Sequence, residues 1–216
     1  MLAACWSAKG GSGTTVVSVA LATVLARSTP GGVLLADLAG DVPAVLGLAE
    51  PEGPGLHDWL DAGEAVPVDA LGRLEVDGGP GLRLLPVGRP GKAGEGRGEV
   101  LAALLAADPR PVVVDCGSSP SGAALAVAAS ASLSLLVLRP CYLALRRALR
   151  APLRPSGVIL VAETGRALGR DDVEDVLGVP VRAVVAVDPH VARAVDAGVF
   201  PGRLPRSLER ALRHVA

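Results

Sequence analysis

Residues 2–26 read LAACWSAKGGSGTTVVSVALATVLA, and the reading of this stretch decides the rest of the chain. Leu2–Trp6 is a short apolar run that ends at a glycine loop. Thr14–Ala26 is long enough for a helix, with Arg27 in its last turn and Pro30-Gly31-Gly32 closing it. Gly10, Gly11 and Gly13 let the backbone wrap closely around an anion, with amide N–H groups turned inward, and the helix N-terminus adds its positive dipole. A standard phosphate loop ends in Gly-Lys-Ser/Thr, where the lysine reaches the β and γ phosphates and the hydroxyl binds Mg²⁺. Here Gly13 and Thr15 hold their places, but Thr14 stands at the lysine position. A bare glycine turn opening a helix is the simpler use of these residues. The strand before and the helix after are, however, the setting the motif requires.

Working outward, short apolar runs alternate with helical segments. Strands are expected at Val33–Ala36, Leu82–Pro86, Val112–Val114, Leu133–Leu138, Val158–Ala162 and Val181–Val187. Helices are expected at Leu56–Ala62, Glu99–Ala107, Ser121–Ser130, Tyr142–Arg150, Asp171–Leu177, Pro189–Ala197 and Pro205–Val215. Residues 41–81 are broken by Pro and Gly, and Gly88–Gly98 reads as a mobile surface loop. Near-continuous apolar runs alternating with helices predict an α/β fold, a mostly parallel central sheet with helices on both faces. No internal repeat or linker interrupts the pattern, so residues 1–216 are expected to form a single domain.

Composition narrows the function. Half of the 216 residues are apolar, and 21 basic residues face 22 acidic ones for a net charge of −1. That balance excludes a generic polycation that holds nucleic acid by bulk charge. The charge is unevenly spread, with seven basic and twelve acidic residues in 1–100 and fourteen and ten in 101–216, so an anionic partner belongs to the second half. Trp6, Trp59, Tyr142 and Phe200 are too few for a surface that stacks successive bases. Cys5, Cys116 and Cys141, odd in number and widely spaced, fit a reducing cytoplasm better than a disulfide framework. No signal peptide is visible before the glycines. The uncharged run Cys116–Leu138 is interrupted by Gly117, Pro120 and Gly122 and reads as loop, helix and strand, not as a membrane span.

Two carboxylates extend the case for the loop. Asp37 ends the second strand and Asp115 ends the strand Val112–Val114, so both should emerge at the carboxyl edge of the sheet, beside Thr15. Hard oxygen ligands there suit Mg²⁺, directly or through water. Other chemistries lack support: His57, His190 and His214 lie far apart with no partner at metal spacing, and no Gly-x-Ser-x-Gly elbow is present. Cys116 without a second cysteine at the right spacing argues against an iron–sulfur cluster. Lysine occurs only at Lys9 and Lys92, and Lys92 reads as a solvated loop charge.

The segment Lys9-Gly10-Gly11-Ser12-Gly13-Thr14-Thr15 resembles the deviant Walker A motif, KGGxGK[ST], of the ParA/MinD superfamily. Val33-Leu34-Leu35-Ala36-Asp37-Leu38 is similar to its second-strand motif and Val112-Val113-Val114-Asp115 to its Walker B strand. Arg139–Ala148 and Pro189–Gly198 resemble later segments, and Gly55-Leu56 with Leu82-Arg83-Leu84-Leu85-Pro86 looks most like the CpaE/TadZ-like branch. The resemblance implies a homodimer that sandwiches ATP (or ADP) with Mg²⁺. The lysine matching Lys9 would cross to the partner's phosphates, and residues matching Thr15 and Asp37 would serve magnesium and the switch. Such dimers position cargo at a pole, a septum, the inner face of the membrane or a pilus or secretion machine.

Departures from the motif point to degraded chemistry. Thr14 offers one neutral hydrogen bond where a lysine would offer a charge-assisted contact, roughly twice as strong. Ala39 replaces the second aspartate of the family's Asp-x-Asp motif, which helps place the attacking water, so hydrolysis should suffer more than binding. Glu163 stands near where an asparagine often contacts the base, and Ala186 replaces a usual proline. The expectation is a cytoplasmic nucleotide-binding switch with slow or absent hydrolysis, with Lys9 and Gly10–Thr15 on the nucleotide, Glu163 near the base, and Thr15, Asp37 and Asp115 on the metal. No catalytic residue is assigned. The alternatives are an active partition-type ATPase and a nucleotide-free scaffold. Arg146, Arg147 and Arg150 on one helix, and Arg210 and Arg213 on the last, could contact DNA or a membrane surface. A packing helix with a solvated arginine face is the favoured account of this basic surface.

Overall fold

The computed structural model describes residues 1–63, 67–89 and 97–215. In chain order the elements are β1 (Leu2–Ser7), α1 (Thr14–Ser28), β2 (Val33–Asp37), α2 (Val42–Leu46), α3 (Leu56–Asp61), β3 (Val76–Asp77), β4 (Leu82–Leu85) and α4 (Gly98–Ala107). They continue with β5 (Val112–Ser118), α5 (Gly122–Ser130), β6 (Leu133–Leu138), α6 (Tyr142–Arg150), β7 (Gly157–Ala162), α7 (Arg170–Leu177), β8 (Val181–Ala186), α8 (Pro189–Asp196) and α9 (Arg206–Leu212). Short 3-10 turns occupy Val68–Leu74 and Pro201–Arg203. Lys92, named above, lies outside the described residues.

The strands form one eight-stranded sheet in the order β3-β4-β2-β5-β1-β6-β7-β8. All neighbours are parallel except the short hairpin pair β3 and β4. Every residue of β1 and β2 is buried, as an interior parallel strand with helices on both faces must be. Alternation along β1 sends side chains to two cores. Leu2, Ala4 and Trp6 join the layer under α3, α4, α5 and α6, with Trp59, Leu101, Leu105 and Leu145. Ala3 and Cys5 join the layer under α1, α8 and α9, with Val19, Leu21, Phe200 and Leu212. Helix α1 is buried nearly all round because it lies between the sheet and α2 and α9.

The uncharged run 116–138 resolves into the end of β5, a loop, α5 and β6, and no helix among the described residues is long and apolar enough to cross a membrane. Helix α9 is shorter than the expected Pro205–Val215, and its apolar side is used: Leu204, Leu208, Leu212 and Val215 are buried in the second core, while Glu209 pairs with Arg27 at 2.9 Å. Arg210 and Arg213 remain exposed, Arg213 lying 3.6 Å from Glu209. Neither α2 nor β3, of five and two residues, is long enough to repeat its pattern, so neither shows in the sequence.

Two contacts tie segments that lie far apart in the chain. Gly47 caps α2 with φ 74°, and a Cβ built on it would fall 2.0 Å from the carbonyl oxygen of Gly198, so the two backbones touch. The Arg110 guanidinium forks onto Glu75 (2.7 and 3.0 Å) and onto Asp108 (2.8 and 2.9 Å). Those hydrogen bonds hold both carboxyls below their usual range. They tie the β3 hairpin to the turn before β5. Arg110→Ala is expected to lower the unfolding free energy by about 2 kcal/mol, because two half-buried carboxylates lose their charge-assisted partner. Urea denaturation at pH 7 checks it. Arg110→Lys should recover less than half, since an ammonium has no fork.

Candidate functional site

The end of β1 and the start of α1 are joined by a loop whose shape follows from its glycines. Gly11 (φ 77°) and Gly13 (φ 86°) take the left-handed conformation, and a Cβ on either would meet nothing within 4 Å, so the loop bounds open space. The carbonyl of Lys9 accepts from Ser7 Oγ at 3.1 Å and Ser12 Oγ at 2.8 Å, which pins the loop through that carbonyl. Gly13 precedes Thr14, the first residue of α1, so the unpaired amides of the helix start sit at the loop's mouth.

A cleft of about 800 Å³ opens over the loop. Gly10 to Thr15 form one wall. Leu38 and Ala39 after β2, with His57 and Leu60 of α3, form a second, and Gly117 to Ser121, the end of β5 and the loop beyond it, form a third. Its position is the switch point of the sheet, where β1 has β5 on one side and β6 on the other. Among the described residues that line it there is no lysine or arginine; the polar groups are hydroxyls, together with Asp41 and His57. The serines Ser7, Ser118, Ser119 and Ser121 were not singled out from sequence. The Ser118-Ser119-Pro120-Ser121 run, which follows Asp115-Cys116-Gly117, is the signal that could have exposed most of them.

The two carboxylates are neighbours, as their strands require, since Asp37 and Asp115 are register partners of β2 and β5. The strand carrying Asp115 does not end there. It runs on to Ser118, because Ser118 pairs with Ser7 of β1 past a register shift, and Asp115 is fully buried. Its Oδ1 accepts from the Gly117 amide at 3.2 Å, while Oδ2 is buried with no hydrogen-bond partner among the described residues. Burial pushes its pKa up to about 6. The hydroxyl of Thr15 and the Gly117 amide oppose the rise, and the charge of Asp37 adds to it. Asp37 is also raised by burial, against the pull of backbone amides. Its Oδ1 accepts from Ala39 (2.9 Å) and Gly40 (2.7 Å) and its Oδ2 from Val42 (3.1 Å), so its oxygens already hold the loop that leads into α2.

An orphaned carboxylate oxygen, a hydroxyl at the first turn of α1 and an open ring of backbone amides fit a phosphate with a hydrated divalent cation. Among the described residues no group of three or more His, Cys, Asp and Glu stands where it could hold a metal without such help. Not every expected residue gathers here. Asp37 and Asp115 are fully buried and do not line the cleft, and Lys9, half-buried, does not line it either. Glu163, after β7, is also absent from that lining: it is clamped by Arg166 at 2.8 Å and Arg139 at 3.0 Å, which hold its carboxyl below the usual range. Arg146, Arg147 and Arg150 are exposed on α6, away from the glycine loop.

No family model and no curated protein sequence matches the chain. Solved structures do. The chain is similar to a ParA family ATPase from Chlorobium tepidum TLS, with a TM-score of 0.79 and 20% identity over 98% of this chain and 96% of that one. It is similar to the septum site-determining protein MinD complexed with Mg-ADP from Pyrococcus horikoshii OT3 (TM-score 0.76, 23% identity, 100% and 94% covered). A chain of the MinC:MinD cell division protein complex of Aquifex aeolicus also matches (TM-score 0.75, 20% identity, 99% and 93% covered). The fold is thus the ParA/MinD-like phosphate-loop fold, with its mostly parallel eight-stranded sheet.

Proposed function

We propose that the protein is a nucleotide-binding switch of the ParA/MinD type whose hydrolysis is slow or absent, working as a single domain and as a dimer that positions or regulates a partner machine. The observations that support this reading are the open glycine loop and, beside Thr15 at the first turn of α1, a buried, unpartnered oxygen of Asp115. The amides of Gly10–Thr15 would hold the phosphates of ATP or ADP, and Thr15 and Asp115 would hold Mg²⁺. Asp37, already engaged by amides, would act through water. Bound magnesium would supply the positive charge that the cleft lining lacks. Lys9, outside the lining of its own cleft, suits the role of reaching a second copy's phosphates. Glu163 would come near the base only if its ion pairs opened. Gly55-Leu56 and Leu82–Pro86 support the CpaE/TadZ-like branch, and with it a cytoplasmic protein recruited to a pole, a septum or the inner face of the membrane.

Thr14 and Ala39 support weak chemistry, since neither supplies a charge to the phosphates or the attacking water. Calorimetric titration with ATP, ADP and GTP, with and without Mg²⁺, tests the reading. Magnesium-dependent binding is expected, and Thr14→Lys should tighten it about tenfold by restoring a charge-assisted contact. Absence of heat from every nucleotide, with no gain from Thr14→Lys, would leave the nucleotide-free scaffold instead. Brisk Mg-ATP hydrolysis that disappears in Asp115→Ala would refute the slow-turnover part. A second reading, an active partition-type ATPase on DNA, is favoured by the exposed arginines 146, 147 and 150 of α6. Gel-shift binding to random-sequence DNA, lost when Arg146 and Arg147 are changed, would establish it.

A further inference from the structure

Behind the wall made by Ser119 and Pro120 lies a second cleft, of about 350 Å³, on the α6 side of β1. Its chemistry is the reverse of its neighbour's. Trp6, Ala8, Pro120 and Leu153 give it apolar walls, and the indole of Trp6 contributes only ring surface, because its Nε1 already donates to Ser134 Oγ at 3.1 Å. Arg147 and Arg150 line it as well. One turn of α6 separates them, so both lie on one side of the helix. Both are exposed, and neither has an ion-pair partner among the described residues. Two unpaired guanidiniums beside an apolar hollow are a recognition site for an oxyanion on an apolar body, since each fork binds a carboxylate or phosphate bidentately. The volume is at the small end of ligand cavities, roughly 300–1,000 Å³, which favours a compact ligand.

The dividing wall is itself unusual. Ser119 has φ 51°, the one non-glycine residue with positive φ among the described residues. It is held there by its amide, which donates to the Ser7 carbonyl at 2.7 Å, at the entry to the glycine loop. Strained backbone of this kind persists where the surroundings enforce it, and it gathers at binding sites.

We propose that this cleft is a second ligand site, which takes a small organic anion with a compact apolar body and a carboxylate or phosphate head against Arg147 and Arg150. It does not rest on nucleotide binding in the larger cleft. The test is calorimetric titration of the nucleotide-free protein with phenyl phosphate, phenylacetate, inorganic phosphate and benzyl alcohol. Phenyl phosphate or phenylacetate should bind, and whichever binds more tightly names the head group. Arg147→Gln and Arg150→Gln should each weaken that binding at least tenfold. Ala151→Leu, which narrows the cleft and leaves both arginines in place, should weaken it as much. The proposal is overturned if neither aromatic anion binds, or if inorganic phosphate or benzyl alcohol binds as tightly as they do. Binding that survives both arginine variants or the filled cleft overturns it too.

Discussion

Gly47→Ala should cost about 3–4 kcal/mol of stability, a large share of the roughly 5–15 kcal/mol that holds a domain together. The added carbon would lie 2.0 Å from the Gly198 carbonyl oxygen and 2.7 Å from its carbon, both backbone atoms that cannot rotate away. Positive φ alone would cost an alanine only about 1 kcal/mol. Gly63→Ala separates the two effects, because Gly63 has φ 70° with open space where the Cβ would go. The reverse change, Gly198→Ala, should also be mild, since its Cβ would sit 3.4 Å from Gly47, an ordinary contact. Urea midpoints at unchanged m-value provide the readout. Equal losses at Gly47 and Gly63 would show that the two backbones do not need to touch.

The second large effect is a pH dependence that runs opposite to the usual one for carboxylates. Asp115 titrates at about 6 in the folded protein, above its ordinary value of 3.8, and Asp37 is shifted the same way. A raised carboxyl favours the folded state while protonated, so its contribution is fully present below pH 3.8 and is lost as pH climbs through 6. The protein freed of nucleotide and metal should therefore lose about 2–3 kcal/mol between pH 4 and pH 7.5 from Asp115. Asp115→Asn should flatten that slope and raise stability at pH 7.5, while abolishing any magnesium-dependent nucleotide binding. Glu75 and Asp108, shifted downward by Arg110, act in the opposite sense and weaken the fold only in more acidic solution. Chemical denaturation across pH 4–8 in EDTA measures the slope. A wild-type protein equally stable at pH 5 and pH 7.5 would mean that Asp115 is solvated after all.

Most of this architecture was legible because its signals are local. The run LAACW, three glycines and a long apolar helix sit side by side, and most of the strands show as short runs rich in Val, Leu and Ala. Leu133–Leu138 and Tyr142–Arg150 fall where their patterns put them. What stayed hidden depends on pairs far apart in the chain. That β5 would outlast Asp115 follows from its register with β1, that Glu163 would be taken by Arg139 from the meeting of two strand ends, and that Asp37 would serve its own loop from how Gly40 turns. Composition carries none of these geometries. The same holds for the arginine-lined cleft, whose walls come from β1, α6 and the loop after β5.

The placement of β1 at the centre of the sheet also bears on how the molecule is made. Its partners begin at Val112 and Leu133, so a ribosome releases this largely apolar strand long before either neighbour exists. At roughly 5–20 residues per second the wait is about 5–20 s, during which the greasy segment must be shielded by a nascent-chain chaperone or by transient collapse. Slower translation should therefore raise the fraction lost to aggregation, whereas dilution of the finished polypeptide out of denaturant presents all three strands at once.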